Sequence, residues 1–176
     1  MLRAYKAALE KFPGLKLVIA PRHFEEADAV EANIKAAGFP CVRRSRGATA
    51  GCQADPRQPP VFLADTTGEL MGLYGIADVV FVGKSLCARG AQNMIEPCLC
   101  GKPTVVGPHT ENFRPVMSDL RAADAIAEVR DADELVSRVS ELLDDDGGLG
   151  VRASAAVERR RGVVAACLAS IREELK

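Results

Sequence analysis

Short apolar runs recur along this chain, and a turn signal and then a stretch of helical periodicity follow most of them. Asp78-Val79-Val80-Phe81-Val82 and Thr104-Val105-Val106 are the clearest. Runs without polar alternation suit strands of a parallel sheet that is covered on both faces. Parallel neighbours cannot be joined by tight hairpins and need long crossover connections, usually helices.

The remaining segments fit that alternation. Leu2, Tyr5, Leu9 and Phe12 fall at helical spacing, and Pro13-Gly14 ends the pattern. Leu15 to Ala20 reads as a strand, Glu25 to Ala37 as a helix closed by Gly38, and Cys41 to Ser45 as a strand. Gly47 to Pro60 is a loop rich in turn formers. After it come a strand at Val61 to Ala64, a helix at Thr67 to Tyr74, the strand Asp78 to Val82, and a short helix from Asn93 to Cys100. Gly101-Lys102-Pro103 turns into Thr104 to Val106. Helix is expected at Asn112 to Ala122 and a small edge strand at Ala125 to Val129. The carboxyl-terminal part, about 131–175, is helical in three pieces: Asp133 to Leu143, Gly150 to Arg160 and Val163 to Leu175. The expected fold class is α/β, a Rossmann-like, doubly wound parallel sheet in one domain spanning 1–176.

Charge and composition narrow the function. With 23 Lys+Arg against 24 Asp+Glu, the chain has no global attraction to polyanions, so nucleic acid is not an expected partner. No apolar stretch approaches the ~20 residues of a membrane-spanning helix. The amino-terminal segment lacks the apolar core of a secretory signal, which points to the cytoplasm. The six cysteines contain no Cys-x-x-Cys pair, and two histidines are too few to complete a zinc framework. The expectation is reduced thiols, with no metal and no cofactor. Cys98 and Cys100, two residues apart on a short helix, cannot face each other.

Ligands of open α/β sheets bind at the carboxyl ends of the strands. Four loops start there. Pro21-Arg22-His23 aims a guanidinium and an imidazole from the first strand, fit for a phosphate or carboxylate, or else for a surface Arg and a helix-capping His. Asp65-Thr66-Thr67-Gly68-Glu69 reads as a capping box. The run from Gly83 to Pro97 is a glycine-punctuated loop carrying Lys84 and Arg89. Its amides around Gly90 to Met94 and the Ser85 hydroxyl could cradle an anion, and Glu96 could accept the two hydroxyls of a ribose or other sugar. The bland alternative is an ordinary loop with a solvated Glu. Gly107-Pro108-His109-Thr110-Glu111-Asn112-Phe113 adds an imidazole, a carboxylate and an amide before a helix. His109 could be a base or a hydrogen-bonded structural residue, and Asn112 a cap. Nucleophile-elbow, Walker and dinucleotide-fingerprint patterns are absent.

Taken in order, Pro21-Arg22-His23, the block from Leu63 to Leu86, and Arg89 to Phe113 resemble the carboxyl-terminal half of bacterial 3-deoxy-D-manno-octulosonic acid (Kdo) transferases. These are glycosyltransferases of the GT-B fold. The resemblance implies one half of a GT-B enzyme that binds CMP-Kdo, with Arg22, His23, Ser85, Asn93, Glu96, Pro97, His109, Asn112 and Phe113 matching the family motifs. It implies transfer to a lipid A precursor in lipopolysaccharide synthesis, at the inner face of the inner membrane. The acceptor site and catalytic base would lie in the amino-terminal half, leaving no catalytic residue here. Departure of CMP would be eased without a metal by Arg22, Ser85 and the amino end of the Asn93 helix. Two departures stand out. Gly90-Ala91-Gln92-Asn93 replaces a Gly-Gly-His-Asn run, and Phe24 and Glu26 replace a Pro and an Arg. Two other classes stay open: a non-catalytic binding module for a nucleotide or acidic sugar, and a GT-B-like nucleotide-sugar epimerase.

In the family a strand precedes the helix that starts here near Leu2. The expectation is therefore a sheet interrupted between Leu15–Ala20 and Val61–Ala64. Either those strands pair directly across the gap, or a partner bridges them and the chain tends to form a homo-dimer or to aggregate.

Overall fold

A computed structural model describes the chain except residues 48–57, 88, 161–170 and 175–176. Its described elements are α1 (Leu2–Lys11), β1 (Val18–Ile19), α2 (Ala27–Ala36), β2 (Cys41–Arg43), β3 (Val61–Leu63), α3 (Leu70–Ile76), β4 (Val80–Phe81), α4 (Ile95–Leu99), β5 (Thr104–Val106), α5 (Arg114–Ala122), β6 (Ala127–Glu128), α6 (Ala132–Asp144) and α7 (Leu149–Glu158). Single 3₁₀ turns at Phe24–Glu26, Arg44–Arg46 and Glu111–Phe113 lead out of β1 and β2 and into α5. Of the expected helix at Val163 to Leu175 only residues 171–174 are described, and they are helical; most of the Gly47 to Pro60 loop lies outside the described residues.

All strand pairs are parallel, and the α/β alternation is that expected. The strands form two three-stranded sheets, ordered β1-β3-β2 and β4-β5-β6. In the first, Val18 lies opposite Phe62 and Val42 opposite the same residue from the other side. In the second, Val105 is flanked by Phe81 and Ala127. The direct pairing of β1 with β3 fulfils one version of the expectation, but the discontinuity is elsewhere: it lies between the two three-stranded sheets. The reason is topological, since β3 is the middle strand of its sheet and so has no open edge.

Burial follows this division. Val61, Leu63, Val105 and Val106 in the middle strands are fully buried. Around β3, Tyr5, Ile34 and Phe39 complete one apolar cluster, with the Tyr5 and Phe39 rings 5.2 Å apart. Around β5, Leu135, Leu142 and Leu149 pack on one face and Met94, Met117, Leu120 and Ala153 on the other. Helix α1 serves both sheets, because Ala4 joins the β5 cluster while Tyr5 joins the β3 cluster. Its end is fixed by the Tyr5 hydroxyl, which donates to the Leu15 carbonyl at 2.8 Å.

Local chemistry explains several boundaries. Asp131 caps α6, its carboxylate accepting from the amides of Asp133 and Glu134 at 2.9 Å. Helix α7 can lie against the turn before β5 only because residue 150 is glycine. A β-carbon there would come within 2.1 Å of the Gly101 carbonyl oxygen.

Candidate functional site

The four loops singled out above all emerge at the carboxyl ends of β1, β3, β4 and β5. Arg22 and His23 are exposed just after β1, and the Arg22 guanidinium donates to the Gln92 side-chain oxygen at 2.9 Å. That bond spans from the β1 loop to the β4 loop, so the first cation and the glycine-rich loop face one site.

The loop after β4 is held by its own polar groups. Ser85 is fully buried; its hydroxyl donates to the Val82 carbonyl at 2.6 Å and accepts from the Gly107 amide at 2.8 Å. Its hydroxyl is thereby engaged in clamping the β4 loop to the β5 loop. Gly107 makes the approach possible, because a β-carbon at this position would sit 2.3 Å from the Ser85 carbonyl oxygen. Asn112 does the same one step further on: its side-chain oxygen accepts from the Ala91 amide at 2.9 Å and its NH2 donates to the Ala91 carbonyl at 3.0 Å. Gly90, at φ +77°, supplies the left-handed turn that brings this stretch alongside. Lys84 also adopts a positive φ of 70°, a strained conformation for a side-chain-bearing residue that turns it outward beside Ser85.

Helix α4 begins at Ile95, two residues later than the sequence suggests, and runs for five residues. The cause is Asn93, whose side-chain oxygen accepts from the Ile95 amide at 2.9 Å and whose NH2 donates to Glu96 at 3.0 Å. A single turn and a half carries little of a helix dipole, and its first amide is occupied. Positive potential here therefore comes chiefly from side chains. Among the described residues neither Lys84 nor Arg89 has an ion-pair partner, and both are exposed. Glu96 lies half-buried beside Asn93.

The Gly107 loop contributes His109 and Glu111. One Glu111 oxygen accepts from the Gly90 amide at 3.0 Å, and the other lies 3.5 Å from His109 Nδ1. Its own backbone amide and then that of Gly90 hold this carboxyl below the usual glutamate range. A carboxylate of the protein thus rests on one of the amides expected to receive a ligand anion. Sequence reading noted the Glu111 carboxylate and the Gln92 departure but gave neither a partner, because their contacts reach across two loops.

The carboxyl ends of β2 and β3 hold a different arrangement. Asp65 accepts from the Ser45 hydroxyl at 2.6 Å, the Ser45 amide at 2.9 Å and Arg43 Nε at 2.7 Å. Burial alone would raise this carboxyl, but these three donors outweigh it and keep the group well below the ordinary range. Arg43 also pairs with Asp28 and with Glu31, the latter at 3.2 Å. The capping box foreseen at Thr66 to Glu69 forms in another way: Thr66 donates to Glu69, Glu69 is also held by Arg44 at 2.8 Å, and α3 starts only at Leu70. Arg43 was legible only as a strand residue, although the basic Arg43-Arg44-Ser45-Arg46 run opposite an acidic helix was the available signal.

Cys41, Cys87, Cys98 and Cys100 are free thiols. Burial pushes the Cys98 thiol up to about 11, so it is inert as a nucleophile. No described helix is long and apolar enough to cross a membrane.

No family model matches the chain. Curated relatives do. It is 34% identical over 143 residues to 3-deoxy-D-manno-octulosonic acid transferase of Haemophilus influenzae, covering 81% of this chain and 32% of that protein. The corresponding protein of Bordetella pertussis is 38% identical over the same shares. The Aquifex aeolicus protein is 29% identical over all of this chain and 46% of its own length. The chain thus spans between a third and a half of these relatives. Among solved structures, the C-terminal CMP-Kdo binding domain of WaaA from Acinetobacter baumannii matches 89% of this chain and 80% of its own, at TM-score 0.78 and 28% identity. Sequence and fold together identify the chain as a homologue of the carboxyl-terminal half of the 3-deoxy-D-manno-octulosonic acid transferases.

Proposed function

We propose that the 176 residues form one domain that binds the nucleotide-sugar donor CMP-Kdo for a glycosyltransferase acting in lipopolysaccharide synthesis. The observation that carries this reading is the likeness, over 89% of the chain, to a domain described as binding CMP-Kdo. The charge layout at the strand ends supports it. Arg22, Lys84 and Arg89 surround a loop whose backbone is already fixed, so they meet an anionic ligand with little reorganisation. His23, His109 and Asn112 border the same loops, and Asn112 acts by holding Ala91 in place.

In this reading the three cations bind the phosphate and the acidic sugar, and stabilise the negative charge that develops on CMP as the glycosidic bond breaks. Glu96, kept in place by Asn93, accepts the ribose hydroxyls. Ser85 and Gly107 act from beneath as positioning residues. The acceptor, a lipid A precursor, and the general base would be held by the amino-terminal half of the whole enzyme, which would work at the inner face of the inner membrane.

Isothermal titration tests the donor reading. CMP and CMP-Kdo should release or absorb heat with one site per chain, and Glu96→Ala should weaken binding by about 1–3 kcal/mol through lost charged hydrogen bonds. Folded protein that gives no heat with either ligand overturns the proposal.

A further inference from the structure

The arginines at the carboxyl ends of the strands differ in what holds them. Arg43 pairs with Asp28, Glu31 and Asp65, Arg44 with Glu69, and Arg46 with Glu31 at 3.2 Å. Arg22 donates instead to a neutral group, the side-chain oxygen of Gln92, at 2.9 Å, and among the described residues no carboxylate pairs with it. A carboxylate partner orients a guanidinium and also cancels its charge toward a third group. An amide oxygen orients it and leaves the charge whole.

Gln92 can serve as such a hold because its own backbone is fixed. Its amide donates to the Gly83 carbonyl at 3.3 Å, which ties it back to the end of β4. The residue before it, Ala91, is buried and bound by Asn112 through both its amide and its carbonyl. The residue after it, Asn93, closes on the Ile95 amide at the start of α4. Half-buried Gln92 is therefore the rigid member of the pair, and exposed Arg22 the flexible one. An exposed arginine without an anchor spreads its charge over many rotamers, and the entropy lost in ordering it opposes ligand binding.

We propose that Gln92 is a positioning residue, which holds the Arg22 guanidinium against the β4 loop and leaves its full charge to an anionic group of the ligand. The identity of that ligand rests on the donor-binding reading; the hold on Arg22 is a property of the free chain. A guanidinium carries its N–H donors in one plane, so engaging one of them at Gln92 fixes the direction of the others. A phosphate or carboxylate then meets an oriented, uncancelled fork. Glutamate in place of Gln92 keeps the bond and neutralises the fork. Alanine keeps the charge and releases it.

Two arms test this. In the free chain the Arg22 Nε–H signal, assigned by its loss in Arg22→Lys, is followed by nitrogen relaxation NMR. Its heteronuclear NOE should lie near that of Arg43 in the wild type and in Gln92→Glu, and should fall to that of Arg89 in Gln92→Ala. An Arg22 guanidinium as mobile in the wild type as in Gln92→Ala overturns the proposal, whatever CMP does. The second arm is CMP titration at pH 7, with Tm the same for all variants. Gln92→Ala should weaken CMP about three- to tenfold, and the same change should have no effect once Arg22 is replaced by Ala. Gln92→Glu, which keeps the hydrogen bond, should weaken CMP more, by at least about tenfold. A Gln92→Glu chain that binds as tightly as the wild type, or a Gln92→Ala loss that persists in Arg22→Ala, overturns the proposal. A wild type that gives no heat with CMP overturns the donor reading instead, and the Arg22 NMR signal then decides by itself whether Gln92 holds the cation.

Discussion

The loops above β2 and β3 and the loops above β4 and β5 contain similar numbers of polar residues but use them in opposite ways. Above β3, charges satisfy charges: Arg43 binds Asp28, Glu31 and Asp65, and Arg44 binds Glu69. Above β4, neutral polar side chains bind backbone: buried Ser85 joins Val82 to Gly107, and Asn112 holds Ala91. Nothing there neutralises Lys84 or Arg89 among the described residues. Closed ionic networks stiffen a fold but leave no potential for a ligand. A loop fixed by neutral hydrogen bonds keeps its surface cations available.

The sharpest way to break this contrast is at Asp65. Asp65→Ala removes the acceptor of three donors and should cost about 3 kcal/mol in urea unfolding, while CMP affinity stays as it was. The pH dependence follows from the depressed carboxyl: its contribution is complete above the unfolded pKa of about 4 and is lost as pH falls below it. A wild-type chain that loses no more stability than Asp65→Ala between pH 5 and pH 3 would contradict the network. Next in size is Gly107→Ala. The added methyl must displace the Ser85 carbonyl, so stability should fall by about 1–3 kcal/mol and CMP titration should show binding lost with it.

Smaller effects separate binding from stability. Arg89→Ala should weaken CMP by about tenfold with no change in Tm, whereas Arg44→Ala should leave CMP binding unchanged. Equal losses from the two variants would erase the distinction between the halves. The smallest expected change is a gain. Because Glu111 rests on the Gly90 amide, Glu111→Gln should tighten CMP by about two- to fivefold at pH 7.

Much of this was legible in the sequence where a single residue type decides. The positions of β3 and β5 follow from their unbroken apolar runs, and the end of α1 from Pro13-Gly14. Local competition moved other boundaries. Thr66, Glu69 and Arg44 engage one another, so α3 starts late, and Asn93 closes on Ile95, so α4 is short. The loops of the site were legible as strand ends. Which groups in them remain available was not, because Ser85–Gly107 and Ala91–Asn112 pair residues 22 and 21 apart in the chain. The break in the sheet was foreseen at the wrong strand, since strand order is set by long-range pairing that no local pattern encodes.

Helix α1 is common to the apolar clusters of both sheets, and among the described residues the β3 cluster otherwise draws only on residues up to Leu63. Cooperativity of unfolding therefore runs through about three turns of helix. If α1 lifts away, residues 1–64 lose their main buried connection to the remainder and melt as a separate unit. A ligand that bridges Arg22 and the Gln92 loop would then act as a second tie, coupling the two units and converting a broad thermal transition into a sharp one.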